Sequence, residues 1–314
     1  MTRSRTAHRS VRSTGSAGSA RWPIRWAAAA LCVTGAVAAC SAPEPPTPPP
    51  SAPTTSAPGG DSRDSGEVSP RPDADLAELL GAGLDERSGG AFGDERMSFF
   101  AAGAGPVSDF VQVDYPQGSA SQTVEREDGA AGGGAQSYWA LGQPLQEAYL
   151  RYWVWFAPDF DFVKGGKLPG LYGGEHTSGG DIPDGTNGFS TRYMWRADGK
   201  GEVYAYLPSS VDHGSSLGRG TWTFPRGRWA CLEQRVHLNE PGRADGVIDV
   251  WFEGTQVLHA DSLTFRTTPD LQIDGLFFST FFGGGDSSWA SPKDQVARFG
   301  GFAISPRQIG CDRS

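Results

Sequence analysis

The amino-acid sequence predicts an all-β domain, an antiparallel β-sandwich of jelly-roll type. Two observations predict it. From Asp109 onward, apolar and polar residues alternate, or apolar residues run together, over stretches too short for helices, each bounded by Gly, Pro, Asp or Asn. No long stretch carries a clean helical period. Doubling the sheet is the usual solution for many short strands, because it leaves few unpaired edges.

Taken in order, the chain opens on a leader. Residues 1–40 carry six arginines and no acidic residue, followed by the apolar run "WAAAALCVTGAVAAC". A basic segment before a short apolar one reads as an export signal rather than a membrane span. Its end, "VAAC", resembles the bacterial lipobox, which makes Cys40 the lipid-modified residue. The expectation is an exported lipoprotein held to the outer face of the cell membrane by its anchor alone. Residues 41–95 are rich in Pro, Ser and Thr and read as a disordered tether. Within them, Leu76, Leu79, Leu80 and Leu84 keep a helical spacing that allows a short helix. Residues 96–314 form the sandwich domain, long enough for a sizeable core.

The strands of that domain follow one another: "DFVQVDY", "AYLRYWVWFAP", "GFSTRYMWR", "GEVYAYLP", "GVIDVWFEG", "GLFFSTFFGG" and "ARFGGFAIS". Cys32 and Cys40 belong to the leader, which leaves Cys231 and Cys311 of the four cysteines as an even pair in an oxidising compartment. A disulfide between them is expected. The formal net charge is −9, and loss of the six leader arginines takes it to −15. Such a chain has no bulk attraction for nucleic acid, so a polyanion would have to be held in a local cationic groove.

The hairpin "GFSTRYMWRADGKGEVYAYLP" carries the most information. Period two puts Phe189, Thr191, Tyr193 and Trp195 on one face, and Ser190, Arg192, Met194 and Arg196 on the other. In the next strand, Val203, Ala205 and Leu207 oppose Tyr204 and Tyr206. A three-residue loop, Asp198 to Lys200, keeps the faces consistent and sets Arg192 across from Tyr206 and Met194 across from Tyr204.

Several chemistries find no support. No carboxylate pair at strand spacing suits a glycosidase. His176, His213, His237 and His259 are scattered, without the clustering a zinc site needs. Neither a nucleophile elbow nor a phosphate loop is present. β-Elimination on a polyuronate does fit. The C5 proton is very weakly acidic while the neighbouring carboxylate is charged, so a cation must neutralise that carboxylate, a base must take the proton and an acid must protonate the leaving oxygen. A Lys, an Arg and two Tyr on one face supply those parts without a metal or other cofactor, although a structural calcium ion is compatible with the fold.

In order and spacing, "GGKLPGLYGG", "FSTRYMWR" and "VYAYLP" resemble polysaccharide lyase family 14, the alginate and glucuronan lyases. "FFSTFFGGGDSSWASPKDQVARFGGFAIS" resembles the family's closing strands. The resemblance implies a jelly roll that cleaves a uronic-acid polymer, with Lys167, Ser190, Arg192, Tyr204 and Tyr206 as its functional set. Lys167 and Arg192 are expected to neutralise the carboxylate, Tyr206 to transfer a proton, and Tyr204 and Ser190 to support it. The glycines around Lys167 are expected to let a bulky polysaccharide lie against the backbone. Lys164 and Arg196 would add positive field, and Trp289, in the loop "DSSWASP", would stack on a sugar ring; the tryptophans of the strands belong to the core. The expected partner is an acidic polysaccharide, bound by a monomer. The alternative is a lectin-like module that binds such a polymer without cleaving it.

Overall fold

The computed structural model describes residues 68–102, 105–175 and 178–312. Cys40 and the leader, the first part of the tether, and His176 lie outside the described residues. In chain order the first strands are β1 (Ser69–Pro70), β2 (Leu84–Phe92), β3 (Met97–Ala101), β4 (Asp109–Tyr115), β5 (Ala135–Leu145), β6 (Glu147–Phe156), β7 (Gly165–Gly174) and β8 (Gly188–Arg196). They continue with β9 (Gly201–Tyr206), β10 (Ser215–Leu217), β11 (Trp229–His237), β12 (Gly246–Phe252), β13 (Thr255–Leu263), β14 (Ile273–Phe282) and β15 (Gln295–Ser305). Two short helices, α1 (Leu76–Leu80) and α2 (Gln122–Asp128), interrupt the pattern.

The strands form the expected sandwich. One sheet runs β1-β3-β4-β15-β6-β11-β12-β13 and the other β10-β9-β8-β7-β14-β5-β2, with antiparallel pairing throughout. Between them lie the alternate residues of both: Tyr152, Val154 and Phe156 of β6 and Phe299 of β15 face Leu168, Tyr193, Trp195 and Phe278 of the second sheet. Trp195 anchors this core, with ring centroids 5.3 Å from Phe282 and 5.6 Å from Phe156. Trp222 is also buried. Trp153, Trp155, Trp229 and Trp251 are not core residues as expected: they alternate with the core side chains and sit half-buried on the outer face of the eight-stranded sheet.

The folded body begins before residue 96. Asp75 caps α1 by accepting from the Glu78 backbone N–H at 2.9 Å, and the i, i+4 pair Leu76 and Leu80 docks in the core. β2 pairs with β5 as the edge of the seven-stranded sheet. Its sequence, LDERSGGAF, has no apolar face, because an edge strand can be held by backbone pairing alone.

The critical hairpin keeps its expected faces and changes register. The loop has three residues, Ala197 to Gly199, and closes through Arg196 N–H donating to Lys200 O at 2.7 Å. It starts one residue earlier than expected, because Asp198 takes the left-handed conformation (φ 63°) and Gly199 follows at φ 76°. The pairing therefore slides by two residues: Arg192 lies opposite Tyr204 and Ser190 opposite Tyr206. A slide of two preserves every face, since the side-chain period is two.

The expected disulfide is present. Cys231 and Cys311 lie 5.9 Å apart at Cα, joining β11 to the C-terminal segment across 80 residues. Glu233 helps by accepting from the backbone N–H groups of Ile309 and Gly310.

Candidate active site

The site lies on the outer face of the seven-stranded sheet and is built by cross-strand rows. One row runs Glu202 (β9), Met194 (β8), Lys167 (β7) and Phe281 (β14). The next runs Tyr204, Arg192, Gly170, Phe277 and Tyr138 (β5). The third begins Tyr206, Ser190 and Tyr172. Lys167, Arg192, Tyr204 and Tyr206 line a single cleft of about 240 Å³, closed at its rim by Ser121–Thr123, Ser178, His213 and Gly284. Ser190 is fully buried, directly across from Tyr206.

β7 holds the centre of this face. Pro169 interrupts it at a bulge between Leu168 and Gly170, the one device that admits a proline to a central strand. Gly166 answers to packing rather than to substrate, contrary to the expectation for this segment. A Cβ there would lie 2.1 Å from Trp195 Cζ2 and 2.5 Å from Phe281 O on the core side. The glycine lets Trp195 close under the strand whose next residue is Lys167.

Lys167 is 9% exposed. Its Nζ lies 3.7 Å from the Tyr204 ring centroid and donates to Met194 Sδ at 2.8 Å. Burial first, then the Arg192 and Arg196 guanidiniums, hold the amine well below the usual lysine range, with Glu202 opposing them. Arg192 is 2% exposed. It lies 4.5 Å over the Phe277 ring and donates from Nη1 to Ser279 Oγ at 3.1 Å, and Ser279 in turn donates to Gln136 Oε1. Its Nε has no hydrogen-bond partner, and no described carboxylate lies within ion-pair distance. A buried guanidinium with spare donors and no counter-charge is a receptor for an incoming carboxylate.

The two tyrosines meet edge to face at 5.7 Å, and Gly214 packs on both; a Cβ there would lie 2.8 Å from each ring. The Gly180 N–H donates to Tyr206 Oη at 3.2 Å, leaving the phenol hydrogen for another acceptor. Burial, with Tyr206 next, pushes the Tyr204 phenol up to about 12, so it stays protonated at any working pH.

Arg196 and Trp289 lie at one end, with the guanidinium 5.7 Å over the indole and Lys164 5.9 Å from the same ring. Trp289 is half-buried in the short turn Ser287–Trp289. Arg196 is not a free cation: its Nε donates to Glu202 Oε1 at 2.8 Å, and Arg219 binds the other oxygen at 2.7 Å. Met194, placed on this face from sequence but given no role, completes it with Ser279, Phe277, Tyr138, Glu202 and His213, none of which was assigned to the site from sequence. His237 and His259 lie away on the other sheet, paired with Glu147 and Asp249. A larger cavity of about 540 Å³ elsewhere is lined by Asp114, Asp159 and Asp294, which would repel a polyanion.

Comparison with known proteins fits this arrangement. The family model for polysaccharide lyase 14 matches residues 105–302. The crystal structure of the marine PL-14 alginate lyase from Aplysia kurodai is 34% identical, aligns over 69% of this chain and 89% of that one, and superposes with a TM-score of 0.60. Two more distant structures share the fold. Alginate lyase Aly36B, solved as a double mutant with an alginate tetrasaccharide, is 21% identical over 77% of this chain and 97% of that one (TM-score 0.58). Alginate lyase vAL-1 from Chlorella virus is 24% identical over 62% and 84% (TM-score 0.55). A search of curated proteins returns no match. With its family motifs gathered around one cleft and the family match running from before β4 into β15, this chain belongs to polysaccharide lyase family 14.

Proposed function

We propose that this protein cleaves a uronic-acid polymer, alginate or glucuronan in type, by β-elimination without a metal. The observation that carries the reading is the convergence of Lys167, Arg192, Tyr204 and Tyr206 in one cleft. Arg192 binds and neutralises the uronate carboxylate, which acidifies the C5 proton. Lys167, whose buried amine is held toward its neutral form, takes that proton; this replaces the neutralising role expected from its sequence, because a free amine carries no charge to offset a carboxylate. Electrons of the broken C5–H bond form the C4=C5 double bond as the C4–O bond breaks. Tyr206 protonates the leaving oxygen, and the Gly180 N–H steadies its phenolate. Proton return from Lys167 to Tyr206 restores the site. Tyr204 holds the Lys167 ammonium on its ring face as it forms. Lys164 and Trp289 guide a neighbouring sugar at the open end.

Export belongs to the same proposal. The basic-apolar leader ending at Cys40 and the Cys231–Cys311 disulfide support an extracellular monomer anchored by lipid. Purified protein is incubated with polymannuronate, polyguluronate, glucuronan and hyaluronan while the ultraviolet absorbance of the unsaturated uronate is followed. A rise on one polymer that Lys167→Ala abolishes is the expected result. Retardation in a polymer-containing gel without any rise would make the protein a binding module instead.

A further inference from the structure

Glu202 is a carboxylate in the same cross-strand row as Lys167, beside the cleft. It is fully buried on β9, directly opposite Met194 of β8, which lies directly opposite Lys167 of β7. Neighbouring strands lie about 4.8 Å apart, so the carboxylate-bearing and amine-bearing strands are about 10 Å apart. Its Oε1 accepts from Arg196 Nε at 2.8 Å and from Ser216 Oγ at 3.1 Å; its Oε2 accepts from Arg219 Nε at 2.7 Å. Arg196 also lies 5.6 Å from the Tyr204 ring on which Lys167 rests. The charge balance of the Glu202 cluster is therefore felt at the amine.

The charged and titratable groups around Lys167 are few. β8 contributes Arg192 and Arg196, and β9 contributes Glu202, Tyr204 and Tyr206. Arg219 stands behind Glu202, and His213 is at the rim. Lys164 lies at the far end beside Ser288 and Asp286. β14 brings Ser279 and Phe281, β5 brings Gln136, and the turn into α2 brings Ser121, Gln122 and Thr123, none of which is charged. Lys167 thus has guanidiniums on two sides, and Glu202 is the carboxylate set among them.

We infer that Glu202 is a positioning residue of the lyase site: it fixes Arg196 against Tyr204, the ring on which the Lys167 amine rests, and its charge offsets Arg196 and Arg219 so that the amine can take a proton. This rests on the reading of Lys167 as the base. Two neutralising substitutions, of which only Glu202→Gln is isosteric, then act in opposite directions. Glu202→Gln leaves both guanidiniums uncompensated and makes the ammonium harder to form. Arg219→Gln removes one guanidinium and makes it easier. Because the base works as the free amine, kcat/KM rises with pH through its titration.

The test measures kcat/KM against pH on whichever uronate polymer is cleaved. The acid limb is expected to move down by about one pH unit in Glu202→Gln and up by about half a unit in Arg219→Gln, which is half-exposed. The same titration is read without turnover, from the pH dependence of acetylation of the Lys167 amine by acetic anhydride, followed by mass spectrometry. Opposite shifts in both readouts support the inference. Lower melting temperatures with an unmoved labelling curve in both variants would overturn it, leaving Glu202 a structural residue. If Glu202→Gln does not fold, an unmoved curve in Arg219→Gln overturns it alone. Shifted labelling in a protein that cleaves no polymer would reject the lyase reading and keep the electrostatic one.

Discussion

Lys167 brings function and stability into opposition at a single atom. Its amine is held well below the lysine range by burial and by two guanidiniums, so the unfolded chain binds its proton more readily than the folded one. The destabilisation is fully present below the folded titration point. It fades as pH rises from there toward the unfolded value, so stability increases with pH across that window. Lys167→Met should remove this slope and raise stability by roughly 1–3 kcal/mol at neutral pH, while lyase activity disappears. Thermal melts at several pH values check it, and a variant less stable than the parent would show that the amine is well accommodated. Tyr206→Phe should lower kcat by about 10²–10⁴-fold with little change in KM, as expected for a proton donor. If KM rises as kcat falls, Tyr206 binds rather than reacts.

At the scale of the element, β7 and its neighbour β8 explain why the segment around Lys167 is so rich in glycine. The strand passes over Trp195 at Gly166, where a side chain would not fit, and bulges at Pro169, where the ladder has to accommodate a proline. Gly166→Ala should therefore destabilise the fold by about 2–4 kcal/mol through overpacking, measured by chemical denaturation. A mild effect would mean that Trp195 has room to turn. Gly214→Ala acts on the other side of the sheet. Its methyl would press on both site tyrosines, so activity should fall more than stability does. The hairpin between β8 and β9 supplies the register: Asp198 in the left-handed region closes the loop at Ala197–Gly199 and brings Tyr204, not Tyr206, opposite Arg192.

For the whole molecule, the two sheets divide the labour. The seven-stranded sheet carries the cleft on its outer face. The eight-stranded sheet carries the disulfide on its own. Cys311→Ser should cost about 4 kcal/mol of stability, by the loop-closure account, and lower the melting temperature by roughly 10 °C. It should leave kcat at 25 °C unchanged, and a matching loss of activity would show that the sheets are coupled. The net charge, −9 for the full chain and −15 without the six leader arginines, opposes an acidic polymer in bulk. Affinity then depends on a local cationic field, and KM should rise with ionic strength as that field is screened.

How much of this was legible in the chain follows from the range of each interaction. Strand alternation is local, so "GFSTRYMWR" and "VYAYLP" reveal the sandwich and the shared face of Ser190, Arg192, Tyr204 and Tyr206. Cysteine parity revealed the disulfide in the same way. The register of that face was not legible, because it turns on the dihedrals of one aspartate. Nor were Ser279, Phe277 and Gln136: they come from β14 and β5, more than 80 residues from Arg192 or on its far side, and only sheet order makes them neighbours. Arg196 reads as a free cation until Glu202 and Arg219 are brought to it. By itself the sequence determined the fold class, the family motifs and the side chains that share a face, since period-two alternation needs no partner. Tertiary structure alone decided which of their charges are paired and which proton affinities are moved, because desolvation and Coulomb interactions depend on what the fold places within a few ångströms.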